Sequence, residues 1–452
     1  MIRGIIFDYK SMDIEKIGNE IFKNLEMLSE KDRQEIIEKI ERFSMQRKFF
    51  HKSHKIITHP IALSPFILSS SVLPLLNKLS RSIYLFQSKL PKLYFENFLD
   101  IRDICPLSKQ EEKWFFQFYK YDRNKNFIIR LDVGLAQGWP IVFENNTVAN
   151  AGLYNHTMGV EILKSFIFPK LSINLKDPPN LLKFSLDFIR ESKQGIRNLG
   201  FIECLDTYGY SEIPKIVEYF RKSGFRVGYG DPKELKIKNN KVFLGGIKPD
   251  LVYRDISYKD IKFDKQMYSG LVKLIEEGKV VPGFSGEFGH KGILECLTSN
   301  RYNRFFRMEE RKLFKNCVPW TRVILERETD LEGEKTDLID YIKNNKDEFL
   351  IKPNKGAGGE KILIGKEVSR SRWNKRIKLA IKQKGRWVVQ KYCETQTRKM
   401  AYLKDGKIYF RDCYFSLGLF YYFDKLGLHC RISPSKIVNV AKGGALAPVF
   451  LL

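Results

Sequence analysis

The sequence predicts a mixed α/β fold in which strands and helices alternate over much of the chain. Between residues 180 and 260, helix-like and strand-like runs follow one another, which is typical of a parallel sheet covered by helices. Two further segments, 127–146 and 349–365, each contain two apolar strand-like runs joined by a glycine-containing connection. With 452 residues, the chain is long enough for about two to four domains.

The first hundred residues are predicted to be mainly helical. From Asp13 to Phe43, apolar residues recur at steps of three and four, and charged residues fill the other face. Residues 56–77 form a long uncharged window that three prolines interrupt. We therefore expect a buried, broken helical segment there and no membrane span.

A hairpin is predicted between residues 127 and 146. Strand-like runs at Phe127–Leu131 and Pro140–Phe143 flank a turn at Gln137-Gly138. Asp132 is expected at the end of the first strand, and Glu144 and Asn146 are expected just after the second.

These polar residues predict a metal site. Glu144 and Asn146 are two positions apart, so their side chains point the same way on extended chain, and the hairpin brings Asp132 near them. Two carboxylates and an amide oxygen are ligands that Mg²⁺ uses together with water and nucleotide phosphates. Arg130, on the strand face of Asp132, could stabilise developing negative charge. The alternative is a surface hairpin with scattered polar ends.

The segment 349–365 has the layout of a phosphate-covering hairpin. Phe349–Ile351 and Ile362–Ile364 are predicted strands, and Lys352 leaves the first strand with an ammonium suited to phosphate oxygens. A loop that can adopt backbone angles closed to other residues can turn several N–H groups toward one anion. The glycines of this loop are Gly356, Gly358 and Gly359. An ordinary glycine-rich hairpin beside a solvated lysine is the alternative.

Two other regions predict ligand contacts. In the alternating region, the loops after strands, 206–210 and 254–255, lie where parallel sheets collect ligands, and they contain Asp206 and Arg254. For these two residues, a turn residue and a surface ion pair are the simpler interpretations.

Composition excludes some classes of protein. Seven scattered cysteines without a C-x-x-C pair favour reduced thiols and a cytoplasmic location, and six histidines show no zinc-like spacing. The net charge of +26 predicts attraction to anions such as ATP, an acidic substrate or nucleic acid. The basic segment 370–384 could be a helix with a solvated face, and no nucleic-acid-binding module is recognisable.

Taken together, these motifs resemble the ATP-grasp superfamily, and most of all its circularly permuted branch, which includes glutathionylspermidine synthetase-like ligases. In that branch an Arg-x-Asp and Glu-x-Asn segment precedes the glycine-rich nucleotide loop, as it does here. The resemblance covers roughly the last three quarters of the chain. It implies a circularly permuted ATP-grasp fold with a Rossmann-like substrate lobe and an N-terminal helical region.

The resemblance also implies boundaries and roles. The implied regions are an N-terminal helical part (1–110), the metal-ligand hairpin (111–178), a Rossmann-like substrate lobe (179–282) and the nucleotide-binding lobes (283–452). Asp132, Glu144 and Asn146 would hold the metal, while Arg130 and Arg431 would act at the reacting centre. ATP would contact a set of lysines, loop glycines, the edge of the strand 387–392 and one asparagine of the tail: Lys291, Lys352, Gly356, Gly358, Gly359, Gln390, Lys391, Tyr392 and Asn439.

The implied activity is an ATP-dependent ligase that joins a carboxylate to an amine through an acyl phosphate and releases ADP and phosphate. Its cofactors would be ATP and Mg²⁺, and its partners small-molecule or peptide carboxylates and amines, with a possible homo-oligomer and no nucleic acid. No amidase domain with a Cys/His pair is recognisable, so the glutathione–spermidine substrate pair is not implied. A non-catalytic ATP-binding scaffold and a basic nucleic-acid-binding protein are the alternatives.

Overall fold

A computed structural model describes residues 12–51, 57–96, 99–122, 126–136, 138–204, 211–331, 334–356, 359 and 361–452. Within this part of the chain, helices and sheets are interleaved, as the sequence predicts. No described helix combines the length and apolar character that crossing a membrane requires.

The N-terminal region is mostly helical. Ser29 and Ser108 begin two of its helices by accepting hydrogen bonds from backbone N–H groups three residues on. The helices are Met12–Glu26, Glu30–Arg47, Leu73–Gln87, Leu90–Phe95, Leu99–Ile104 and Lys109–Phe118.

The prediction of a broken helical segment between residues 56 and 77 is wrong for the first half of that segment. Ile57–Thr58, Ile61–Ala62 and Phe66–Leu68 are short strands, and a helix begins only at Leu73. Ile57–Thr58 pairs with the nearby strand Phe50–His51. The partners of the other two strands come from the far end of the chain, since Ile61 pairs with Leu403 and Phe66 with Val449. Pairing with remote strands overrides the local pattern here.

A seven-stranded sheet dominates the described residues and contains the predicted metal-ligand hairpin. Its edge is formed by Trp139–Asn146, followed inward by Ile129–Ala136 and Lys407–Tyr422, which pair antiparallel. The remaining strands in order are Lys425–Ser433, Ala445–Leu446, Ile61–Ala62 and Thr397–Lys404. The hairpin is therefore joined to strands that lie almost 300 residues later in the sequence.

The predicted parallel sheet is confirmed. Its four strands, in spatial order, are Val280–Val281, Leu251–Arg254, Asn198–Ile202 and Arg226–Gly230, and every neighbouring pair is parallel. The helices of this half of the chain are Leu153–Ile162, which continues through a π-turn at Leu163–Ile167 into Phe168–Leu171, and Leu181–Ser192, Ile213–Lys222 and Ser269–Glu276.

The glycine-rich hairpin belongs to a separate antiparallel sheet of four strands. Their order is Thr321–Val323, Trp387–Lys391, Phe349–Pro353 and Leu363–Ile364. The helices Leu338–Asn344 and Arg370–Lys382 pack against this sheet. Ile342 and Trp373 of these helices and residues of the sheet form a hydrophobic core that is separate from the main core. The helices Ile293–Thr298 and Met308–Cys317 precede this sheet. The remaining described strands form four pairs: Lys236–Lys238 with Lys241–Phe243, Glu328–Leu331 with Glu334–Asp337, Phe50–His51 with Ile57–Thr58, and Val449–Leu451 with Phe66–Leu68.

Candidate functional site

The hairpin of Ile129–Ala136 and Trp139–Asn146 brings the predicted polar residues together, with Asp132 and Glu144 inside their strands and Asn146 as the last residue of its strand. Asp132 lies directly opposite Glu144, and Arg130 lies opposite Asn146. A bulge follows Asp132 and shifts the register of the next residues by one. Cross-strand pairing, which the sequence alone does not show, extends both strands past the apolar runs.

Asp132 is a buried carboxylate held by two arginines. Arg130 donates from Nε to Oδ1 at 2.9 Å, and Arg431 donates from Nη2 to Oδ2 at 2.7 Å. Burial alone would raise the pKa of the Asp132 carboxyl, but the two guanidinium groups outweigh it and hold the pKa well below its usual value. The carboxylate is therefore negatively charged at every physiological pH.

Arg431 has an unused donor at this point. Burial works against its charge, but Asp132 and Glu144 outweigh that effect, so its pKa is raised. Its Nε is buried and has no hydrogen-bond partner among the described residues. A buried donor without a partner is costly, and an anionic ligand would satisfy it.

Lys291 bridges the hairpin and the glycine-rich loop. Its Nζ lies 3.1 Å from Glu144 Oε2 and donates to the carbonyl oxygen of Gly356 at 2.7 Å. The side chain is 8% exposed, so it is not the surface lysine that its sequence neighbourhood suggests. Asn354 fixes this segment by accepting the N–H groups of Lys291 and Gly292 on its backbone and side-chain oxygens.

Lys352 lies inside its strand and is 4% exposed, although the sequence predicts a lysine leaving the strand end. Its Nζ donates to the Phe143 carbonyl oxygen at 2.6 Å and to Gln390 Oε1 at 2.8 Å. Burial, and then repulsion by Lys291, lowers the pKa of Lys352 from 10.5 to about 7. The ammonium lacks a carboxylate partner within salt-bridge distance among the described residues, which favours an anionic ligand.

The glycine-rich loop is held close to the C-terminal segment. Gly359 has φ +65°, and a Cβ there would lie 2.5 Å from Cγ2 of Ile437. Lys442 donates to the Gly359 carbonyl oxygen at 3.1 Å. Gly356 contacts Lys291 as described above, and Gly358 lies outside the described residues. At Gly359, both the backbone angle and the close approach require glycine.

Two adjoining cavities connect these residues. One, of about 160 Å³, is lined by Asp132, Lys352, Gln390 and Arg431. The other, of about 140 Å³, is lined by Lys291, Lys352, Lys355 and Lys361. Glu144, Lys352, Gly359 and Ile362 line both. Together they form one cleft between the hairpin and the glycine-rich loop, which we call the central cleft.

The far end of the central cleft is apolar and reaches the strand that the sequence predicts for adenine. Leu350, Ile364 and Val438 line it, and Lys391, Tyr392 and Asn439 border it. The predicted free backbone edge is not found in the described strand Trp387–Lys391, because Thr321–Val323 pairs with it on one side and Phe349–Pro353 on the other. The N–H groups of Lys391 and Tyr392 also donate to the carbonyl oxygens of Trp320 and Glu348.

Gln390 holds the buried Lys352 in place and lines the central cleft. Its Oε1 accepts from Lys352 and its Nε2 donates to Thr321 Oγ1 at 2.9 Å, so its amide orients the buried lysine.

The chemistry of the hairpin residues fits a hard divalent cation. Asp132 and Glu144 supply carboxylate oxygens, and Asn146 directs its amide at Asp132 Oδ2 over 3.3 Å. Rotation of that amide by 180° would turn its oxygen inward. Among the described residues, no three His, Cys, Asp or Glu side chains form a metal-binding group. A cation would therefore need further oxygen ligands, as Mg²⁺ obtains from water and phosphates.

Other predicted positions lie elsewhere. Arg254 is fully buried and pairs with Glu287 at 2.5 Å, so the surface ion pair expected from the sequence is wrong. Asp206 lies outside the described residues. Two lysines that the sequence motifs do not single out, Lys355 and Lys361, flank the glycines and line the central cleft. The spacing of lysines around the glycine-rich loop is the sequence feature that could have identified them.

No family model matches the chain, and no curated protein sequence matches it. A glutathione synthetase-like effector from Globodera pallida, in its apo form, superposes with a TM-score of 0.66 at 10% identity, over 94% of this chain and 98% of that chain. A candidate γ-glutamylcysteine synthetase from Methylobacillus flagellatus KT has a TM-score of 0.42 at 12% identity, over 82% and 88%. The chain therefore has a fold of the glutathione synthetase-like kind.

Proposed function

We propose that this protein is an ATP-dependent carboxylate–amine ligase of the circularly permuted ATP-grasp type. The observation that carries the proposal is the charge of the central cleft. Among the described residues, Lys291, Lys352, Arg130 and Arg431 surround two carboxylates, those of Asp132 and Glu144. A surplus of buried positive charge beside a glycine-rich loop complements a nucleotide triphosphate.

The order of the chain supports the permuted assignment. The hairpin with Arg130 and Asp132 comes before the glycine-rich loop in sequence, yet it pairs with Lys407–Tyr422, which comes after that loop. A metal-ligand strand that is separated from its sheet neighbours in sequence is the expected result of permutation. The proposed regions remain 1–110, 111–178, 179–282 and 283–452.

In the proposed reaction, a substrate carboxylate oxygen attacks the γ-phosphorus of ATP, and the bond to the β-phosphate oxygen breaks to release ADP. Lys291 and Lys352 would hold the phosphates in line, and the glycine-rich loop would exclude water. The amine then attacks the acyl carbon and phosphate leaves. Arg431, whose Nε lacks a described partner, would stabilise charge on the transferring phosphoryl group or on the tetrahedral intermediate, together with Arg130.

Asp132, Glu144 and Asn146 would hold Mg²⁺, which supplies charge neutralisation on the phosphates when bound. Adenine would lie at the apolar end of the central cleft, beside Lys391 and Tyr392 and near Asn439. The acid and the amine would be small molecules or peptides. The mechanism requires no nucleophilic side chain, because the protein has only to position the reactants and to stabilise the charge that develops.

The test is to incubate the protein with Mg-ATP and pooled acids, amino acids, peptides and amines, and to quantify ADP, AMP and phosphate. We expect ADP and phosphate in equal amounts, released only when both an acid and an amine are present. AMP with pyrophosphate would overturn the acyl-phosphate mechanism. ATP binding without turnover in any pool would favour a non-catalytic scaffold.

A variant pair assigns the turnover to the central cleft. Glu144→Gln keeps the side-chain shape but removes the charge that faces Lys291 and the proposed metal. We expect at least a 100-fold loss of turnover with an unchanged circular dichroism spectrum, on the scale of losing one electrostatic group at a reacting centre. Asp412→Asn, an exposed position of the same large sheet, is the matched control and should keep full activity.

A further inference from the structure

The helix Arg370–Lys382 has a basic surface that the proposed function does not use. Six of its 13 residues are lysine or arginine, and none is acidic. Its buried side packs into the core of the sheet that contains the glycine-rich hairpin, through Trp373, Ile377 and Ala380. The exposed basic residues of the helix, which we call the basic face, are Arg370, Arg372, Lys375, Lys378 and Lys382. The three lysines follow one another at steps of three and four and lie half a turn away from the buried side.

The charges of the basic face are not balanced by neighbouring carboxylates. No acidic residue occurs between residues 368 and 393. Among the described residues, no Asp or Glu oxygen lies within salt-bridge distance of the basic face, although other surface helices pair their lysines with carboxylates one turn away. Examples of such pairs are Lys39–Glu35, Lys215–Glu218 and Lys273–Glu277. An ordinary solvated helix face mixes the two signs of charge in this way.

The arrangement of the charges costs the free protein stability. Arg370 and Arg372 lie in the first turn, which contains no acidic residue, although the positive end of the helix dipole favours anions there. Lys378 has like charges three residues before it and four residues after it, and such pairs destabilise a helix. Burial, followed by the charge of Arg372, lowers the pKa of Arg376. Local rules that are broken in this way are expected at functional surfaces, and an external polyanion would offset the cost.

The shape and composition of the basic face favour an anionic lipid surface as its partner. A convex helix surface does not enclose a small ligand, whereas the closely spaced headgroups of an anionic membrane complement a row of lysines. Leu379 lies beside the lysines and is 39% exposed, which suits contact with the apolar boundary below the headgroups. Trp373 is fully buried, so it offers no platform on which the bases of a single-stranded nucleic acid could stack.

We infer that the basic face docks this protein on membranes rich in anionic phospholipids. The attraction is electrostatic, because the apolar side of the helix belongs to the core. Docking leaves the central cleft accessible, since Ile351 packs into the core beside the helix while the next residue, Lys352, points to the opposite side of the sheet and lines the cleft. The inference goes beyond the proposed function and does not depend on it.

The experiment measures co-sedimentation of the protein with lipid vesicles. Vesicles of phosphatidylcholine with roughly one third phosphatidylserine should bind at least 30-fold more tightly than vesicles of phosphatidylcholine alone. The affinity should fall steeply as salt is added, because salt screens exposed charges. Replacing Lys375, Lys378 and Lys382 together by Gln should weaken binding about a hundredfold, at about fivefold for each basic residue.

A matched control removes the same net charge elsewhere. Lys236, Lys238 and Lys241 are exposed lysines of a short hairpin in the parallel-sheet half of the chain. Their joint replacement by Gln should change vesicle binding less than about threefold, because these residues lie outside the basic face. This control separates docking through the helix from a general effect of the net charge of +26.

A single substitution separates docking from a structural role. The Ser369 hydroxyl oxygen accepts from the Arg372 N–H at 3.3 Å, so Arg372→Glu completes a capping box at the start of the helix. We expect this variant to unfold at a higher urea concentration than the wild-type protein and yet to bind anionic vesicles at least fivefold more weakly. A lower unfolding midpoint would show that Arg372 serves the fold, which would contradict the inference.

Three further outcomes would overturn it. They are equal affinity of the wild-type protein for the two kinds of vesicle, equal losses in the two triple variants, and binding of a DNA duplex that is at least tenfold tighter than vesicle binding and depends on the same three lysines. The last result would assign the basic face to nucleic acid. The wild-type comparison of vesicles decides the matter even if a variant fails to fold.

Discussion

The buried ammonium of Lys352 should make the ligand-free protein less stable than it would be with an apolar side chain. Folding lowers the pKa of Lys352 from 10.5 to about 7. Since each pKa unit corresponds to about 1.4 kcal/mol, this group lowers the free energy of unfolding at pH 7 by on the order of 4 kcal/mol. Lys352→Met removes this destabilisation. It also leaves the Phe143 carbonyl oxygen and Gln390 Oε1 without their donor, and each lost hydrogen bond costs about 1.5 kcal/mol. We expect a net gain of about 1 kcal/mol in the free energy of unfolding.

The pH dependence gives a sharper test. Because the folded pKa of Lys352 lies below the unfolded value, the unfolded chain binds more protons between about pH 7 and 10.5, and stability from this group rises with pH across that window. From pH 7 to 9 the wild-type protein should gain about 2 kcal/mol relative to Lys352→Met. Urea denaturation at both pH values measures the difference.

The matched control is Lys361→Met, an exposed lysine that lines the same cleft. Its stability difference from the wild-type protein should stay constant between pH 7 and 9. If the wild-type protein and Lys352→Met respond to pH in parallel, Lys352 is not a destabilised ammonium and the reasoning fails. With bound nucleotide, the wild-type protein should become more stable than Lys352→Met, because the variant lacks the cation that the phosphates would pair with. The ATP affinity of Lys352→Met should be at least tenfold lower than that of the wild-type protein.

Two further predictions concern the loop and the buried ion pair. Gly359→Ala should weaken ATP binding about tenfold in a calorimetric titration, because φ is +65° and the new Cβ meets Ile437, while Gly224→Ala, with φ +92° and open space around it, should leave binding unchanged. Arg254→Met should reduce the free energy of unfolding by about 3–5 kcal/mol, since it leaves Glu287 buried and unpaired. Lys335→Met, in an exposed pair, should change it little, and an equal loss in both variants would contradict this account.

Much of the fold could be predicted from the sequence where the pattern is local. The alternation after residue 180 and the apolar runs around the glycine-rich loop predict the parallel sheet and the loop hairpin, and the structure contains both. The strands at Ile61–Ala62 and Phe66–Leu68 could not be predicted in this way, because their partners lie more than 300 residues away. Their prolines and short apolar runs suit a broken helix equally well.

The candidate site shows the same division. Residue types and spacing predict that Arg130, Asp132 and Glu144 lie close together, which the structure shows, and they make Lys352 a candidate phosphate contact. Its burial could not be foreseen, because Phe143 and Gln390 reach it from two other strands.

The most direct test of the central claim is a crystal structure of the protein with magnesium and a non-hydrolysable ATP analogue. The account predicts phosphates against Lys291 and Lys352, the metal on Asp132 and Glu144, and adenine at the apolar end beside Tyr392. Nucleotide bound at any other place, or a central cleft that stays empty at saturating analogue while nucleotide binds in solution, would contradict it.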